Sequence, residues 1–163
     1  NLRPVFKPDG SVTAGNASGI NDGAASVVLA TGQAVQRHGL KPLARLVAYA
    51  HAGVEPLYMG MGPVPATRAV LARAGLGIDD LDAIESNEAF AAQSGAVSEA
   101  LGLDPAKVNP NGSGIALGHP VGATGAIITV KLLHHLQRTG GRYGLATMCI
   151  GGGQGIAAIF ERA

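Results

Sequence analysis

Three short stretches of this 163-residue chain set proton-exchanging or polar side chains beside glycines or at expected element ends: Asn87-Glu88-Ala89-Phe90, Gly118-His119-Pro120, and Cys149 followed by Gly151, Gly152 and Gly153. A thiol exchanges protons near neutrality when its thiolate is stabilised, and an imidazole does so unaided. Backbone N–H groups left free by glycines after a strand end can hold an anion beside the sulfur. The chemistry on offer is proton transfer coupled to stabilisation of an oxyanion. Each stretch also has a plainer explanation. Cys149 can be a small buried hydrophobe, Asn87 can cap a helix or hold a water, and His119 can be a solvated loop residue. Pro120 biases His119 toward extended backbone and its glycine neighbours remove bulk, which favours an accessible imidazole. His134 and His135 fall on the solvated end of a helix, His38 suits a helix C-terminus, and His51 carries no signal.

Those residues need elements to position them. Residues 1–21 read as an extended loop, 26–30 as a strand, and the stretch from Thr31 to Gly39 as a short helix with its cap and stop. From Pro42 the pattern restarts. Strands are expected at 45–51, 82–86, 107–111, 143–149 and 156–161, with helices at 64–74, 88–101 and 123–138. The first half of the 123–138 helix is apolar all round and is expected to be buried. The last two strands should form an antiparallel hairpin around IGGGQG. The result is an α/β fold, β-α-β-α-β-α-β-β, with a mixed five-stranded sheet covered by helices. Residues 1–41 do not fit that unit and read as the tail of a preceding domain, so 42–163 is the domain proper. The chain opens on Asn1 and not Met, which suggests a piece of something longer.

Composition removes several functions. A net charge of +1 without a basic block argues against nucleic acid as a partner. The single cysteine permits no internal disulfide and suits a reducing, cytoplasmic setting. No apolar run approaches the ~20 residues that cross a bilayer, so no membrane partner is expected. The histidines and Cys149 match no zinc spacing, and Gly118, Gly122 and Gly125 lack the Lys-Ser/Thr ending of a phosphate loop.

In order, the blocks GNASGINDGAA (15–25), SNEAFA (86–91), NGSGIALGHPVGATG (111–125) and CIGGGQG (149–155) resemble the thiolase family. The resemblance covers essentially the whole chain and implies a thiolase-like C-terminal domain, preceded by the end of the N-terminal domain with a CoA-contacting loop. In thiolases a cysteine of the N-terminal half carries the acyl group, and the GHP histidine, here His119, accepts its proton. The CxGGG cysteine, here Cys149, exchanges the α-proton of acetyl-CoA. The enolate oxygen is held by His119 and a water on the NEAF asparagine, here Asn87. A glycine N–H mapping to Gly151 serves the second oxyanion.

Ser18 is implied in contact with the pantetheine arm, with Phe90 and Met59 as pocket residues. Ser113 and Thr124 depart from the usual Gly and Ser without removing a catalytic group. No cofactor is implied beyond coenzyme A thioesters as substrates. The implied partners are acyl-CoA, CoA, the missing N-terminal half and further copies of the complete enzyme. Without the acyl-accepting cysteine the chain is expected to be inactive alone. Two alternatives stand beside this one: an inactive or split-enzyme domain that binds an N-terminal partner, and a condensing enzyme that uses acyl carrier protein.

Overall fold

In the computed structural model, which describes residues 2–163 and leaves Asn1 outside, a four-stranded sheet runs in the order β1-β4-β3-β2. Its strands are β1 (Ala44–Gly53), β2 (Ala83–Ser86), β3 (Tyr143–Ile150) and β4 (Gln154–Arg162). β4 is antiparallel to both β1 and β3, whereas β2 runs parallel to β3. The expected hairpin is therefore present. Its turn needs glycine, because Gly152 and Gly153 have φ of 83° and 88°, a region that strains other side chains.

Helices cover both faces. Successive strand residues point to opposite sides of a sheet. Ile84 and Leu145 accordingly share one core with Ala66 and Val70 of α2 (Pro63–Ala74). Their neighbours Ala83 and Ala146 pack with Ile128, Leu132 and Leu136 of α5 (Thr124–Thr139). Leu132 and Leu136 are completely enclosed, and burying each contributes about 1.5–3 kcal/mol. The buried positions Thr124, Ile128, Leu132 and Leu136 recur every four residues, so α5 presents one stripe to the sheet. The expectation that its first half is buried all round does not hold: Ile127 and Val130 are half-buried.

Glycine also permits the closest backbone approach in the fold. A Cβ on Gly155 of β4 would collide with the backbone of Gly62 at the start of α2, and one on Gly62 would collide with Gln154. That contact docks α2 beside the strand that follows the glycine turn.

Three expectations need correction. The sheet has four strands and not five: residues 107–111 make only a single bridge, Val108 to Ile84, before Asn109 turns the chain away at φ 47°. Residues 26–30 form no strand and pair with none, and Val28 and Leu29 are 94% and 87% exposed. The helix expected from residue 88 begins later, as α3 (Ala91–Leu101). The preceding residues are drawn into extended pairing with the N-terminal segment. Ser18 N–H donates to the Ala89 carbonyl at 3.0 Å, and Ala91 N–H donates to the Asn16 carbonyl at 2.9 Å. Phe90 rather than Asn87 thus stands at the helix start. The short helix α1 (Gly32–His38) keeps its expected cap, with Thr31 Oγ1 accepting from Ala34 N–H at 3.2 Å.

Candidate active-site cleft

A cavity of about 710 Å³ opens where the C-terminal end of β3, the start of α3 and the loop before α5 meet. Ser18, Met59, Phe90, His119, Cys149 and Gly151 all line it. Asn87 lies immediately behind this wall, 1% exposed, with its amide Nδ2 at 3.4 Å from His119 Nε2. Six of the seven residues singled out in the sequence thus share one space, and the seventh touches the imidazole that faces it. They come from five separate stretches of chain, and only the fold unites them.

His119 is fixed on three sides. Its backbone N–H donates to Asn21 Oδ1 at 3.0 Å, and its Nδ1 lies 2.7 Å from Thr124 Oγ1. Thr124 Oγ1 donates its one proton to the Pro120 carbonyl at 2.9 Å. It must then accept from His119 Nδ1–H, which leaves Nε2 as the unprotonated nitrogen directed at the Asn87 amide. Burial lowers the pKa of His119 from the ordinary histidine value, so the neutral imidazole is favoured. A neutral ring with a free Nε2 is equipped to accept a proton.

Cys149, the penultimate residue of β3, pairs with Gly155 across the hairpin and is 7% exposed. Burial pushes its thiol up from the ordinary range, and contact with its own backbone N–H opposes this more weakly. Gly151 carries no side chain into the cavity, and its N–H has no partner among the described residues. It is the kind of donor that an oxyanion would find.

The remaining wall is mainly apolar. Phe6 meets Phe90 edge-on, with ring centroids 6.1 Å apart at 78°. Met59 sits in a 3₁₀ turn (Pro56–Met61), which Gln93 holds by donating from Nε2 to the Gly60 carbonyl at 3.0 Å. Ser18 Oγ donates to the Ala89 carbonyl at 3.0 Å and keeps its lone pairs for an incoming donor. Among the described residues no group of three His, Cys, Asp or Glu side chains could hold a metal. Among the same residues no helix is long and apolar enough to cross a membrane.

Sequence reasoning overlooked Asn21 and Asn109, and noted Thr124 only as a departure from a motif. Each acts through a hydrogen bond to a residue distant in the chain or one turn away. No periodicity marks such contacts.

The fold and cleft define an α/β chain in which a cysteine and a histidine line one largely apolar cavity and an asparagine backs the histidine. Residues 40–162 match the family description "Thiolase, C-terminal domain", and residues 1–33 match "Thiolase, N-terminal domain". The chain belongs to the thiolase family. It is 72% identical over 162 residues to the beta-ketothiolase BktB of Cupriavidus necator, covering 99% of this chain and 41% of that protein. The crystal structure of the Bacillus anthracis acetyl-CoA acetyltransferase superposes with a TM-score of 0.98 at 54% identity, over 99% of this chain and 41% of that one. Human mitochondrial 3-ketoacyl-CoA thiolase in complex with CoA superposes with a TM-score of 0.93 at 48% identity, over the same shares. This chain therefore spans about 41% of the length of these relatives.

Proposed function

We propose that the chain is the C-terminal catalytic portion of an acyl-CoA acyltransferase, which joins two acyl-CoA molecules into a 3-oxoacyl-CoA and CoA or runs the reverse thiolysis. The observation that carries this reading is that Cys149, His119 and Gly151 line one cavity while Asn87, just behind its wall, reaches the His119 imidazole at 3.4 Å; the Gly151 N–H has no partner among the described residues. Residues 1–41 are read as the end of the preceding thiolase domain and 42–163 as the C-terminal domain. The gap between the two family matches, at residues 34–39, supports a boundary in that region. The reading carries with it a cytoplasmic location and, for the complete enzyme, assembly with further copies.

The chemistry follows from the protonation states. In this scheme His119 Nε2 accepts the proton of the acyl-carrying cysteine in the N-terminal half, and its new N–H then serves the enolate oxygen. Cys149 rests as a thiol, so it needs a base before it can act. The CoA thiolate released when the first acyl group is transferred is a base of matching strength and takes that proton. The Cys149 thiolate then removes the α-proton of the second acetyl thioester. The resulting enolate is held by His119 Nε2–H and a water on Asn87, and it attacks the acyl-enzyme carbonyl. The oxyanion of that tetrahedral adduct is met by the Gly151 N–H, a class of contact worth about 3 kcal/mol of barrier. Collapse of the adduct expels the cysteine thiolate and leaves the 3-oxoacyl-CoA. Ser18 is assigned to the pantetheine arm, with Phe90 and Met59 bounding the acyl pocket.

The test uses the chain with and without an N-terminal half. Intact mass after incubation with acetyl-CoA should reveal no acetyl adduct on the chain alone. Adding the N-terminal segment of a close relative should yield cleavage of 3-oxoacyl-CoA. A stable acetyl group on Cys149 of the isolated chain would overturn its assignment as the base. Restored activity on mixing would also favour the split-enzyme reading, in keeping with the exposure of Ile20, Val28 and Leu29.

A further inference from the structure

Asn109 is the only non-glycine residue among those described with φ in the left-handed region, at 47°, and its side chain makes three hydrogen bonds. Oδ1 accepts from Ser86 N–H at 2.9 Å, while Nδ2 donates to the Ser86 carbonyl at 2.8 Å and to Glu88 Oε1 at 3.2 Å. The amide thus takes the place of a neighbouring strand at the end of β2, where backbone pairing with residues 107–109 has just run out. Asparagine tolerates this backbone conformation better than most residues, and its amide plane matches a peptide group donor for acceptor.

Glu88 extends the bracket. Its other carboxylate oxygen, Oε2, accepts from Ile115 N–H at 3.2 Å. Ile115 lies in the short helix α4 (Gly114–Leu117), which ends two residues before His119. Asn87 therefore sits between two residues that Asn109 pins, and Glu88 ties the same corner to the element that carries the imidazole. Neither Asn109 nor Glu88 lines the cavity. Both act on the 3.4 Å spacing between Asn87 Nδ2 and His119 Nε2 from behind.

We propose that Asn109 and Glu88 are positioning residues that hold the Asn87 amide in register with the His119 imidazole for oxyanion stabilisation. This rests on the catalytic reading above. Misplacing such a pair by about 1 Å costs on the order of a hundredfold in rate. Substrate binding should be spared, because the cavity wall is untouched.

The experiment places this chain in the full-length Cupriavidus beta-ketothiolase in exchange for its matching segment, and measures 3-oxoacyl-CoA thiolysis. Asn109→Asp removes both amide donors and sets a carboxylate against Glu88. It should lower kcat by about tenfold to a hundredfold with KM changed by less than about twofold. Adding Glu88→Gln reverses the polarity of that hydrogen bond while keeping an oxygen for Ile115 N–H, and should restore part of kcat, since the Ser86 carbonyl still lacks its donor. Crystal structures of the variants give the second readout: the Asn87 to His119 spacing should widen in N109D and narrow again in the double variant. Unchanged kcat and spacing in N109D, or a double variant worse than N109D, overturns the proposal. If the unsubstituted exchange enzyme lacks turnover, the catalytic reading fails, while the spacing in the structures still decides the bracket.

Discussion

At the scale of single residues, Cys149 and His119 line the same cavity, and the neutral form of each is favoured. Burial disfavours charge on each, raising the thiol and lowering the imidazole. One consequence is measurable in the isolated chain. Because the thiol pKa is raised, the thiolate fraction at pH 7 lies below that of free cysteine. It recovers only as pH climbs past the ordinary thiol range of about 8.5. Alkylation of Cys149 by iodoacetamide should therefore be slower than for glutathione at pH 7 and should still be rising steeply above pH 9. A rate that levels off below pH 8 would contradict the buried thiol. That Cys149, His119 and Asn87 belong together was legible because motif and chemistry coincide at them, and the fold brings them to one place. The direction of the thiol shift was not, because it depends on what encloses the sulfur. The partner that sets the His119 tautomer, Thr124, is five positions away and becomes visible only once the loop is folded.

Among the elements, β2 and α5 are joined by a polar link inside the core as well as by Leu132 and Leu136. Lys131 Nζ donates to Glu85 Oε2 at 2.7 Å and also to the Gly112 carbonyl, while Glu85 has no exposed side-chain surface. Burial raises the pKa of Glu85, and the bond and charge of Lys131 counter that shift. Replacing Lys131 with Met would strand a buried carboxylate and an unpaired carbonyl, a loss of about 3–5 kcal/mol at neutral pH. The deficit should shrink as pH falls, because the stranded Glu85 can bind a proton in the folded state and shed its charge. Urea denaturation of Lys131→Met at pH 7 and pH 5 checks both the size and the sign. Sequence patterning located the elements of the C-terminal unit well where a helix or strand is long and bounded by glycine. It failed at residues 26–30 and 107–111. There, strand-like composition stays unpaired and exposed in one case and Asn109 breaks the pairing in the other.

For the molecule as a whole, the segment before α1 presents large apolar side chains to solvent. Ile20, Val28 and Leu29 are 96%, 94% and 87% exposed, in a chain spanning about 41% of its relatives' length. Alone, the chain should self-associate or bind a hydrophobic dye. The change Val28→Asp with Leu29→Asp should raise the concentration at which light scattering appears. Equal scattering from both forms would show that these side chains do not drive association. The sequence already marked this region as foreign to the C-terminal unit, but not how closely it engages the cleft.

That engagement affects how the protein can be divided and recombined. Asn21 supplies the acceptor for the His119 backbone, and Asn16 and Ser18 pair with the approach to α3. A cut near residue 40 would leave the sheet and its helices intact while removing one support of the imidazole. Interchangeable parts made from this family would therefore have to be exchanged along the seams of the cleft, with residues 16–21 kept beside the loop and helix start they support.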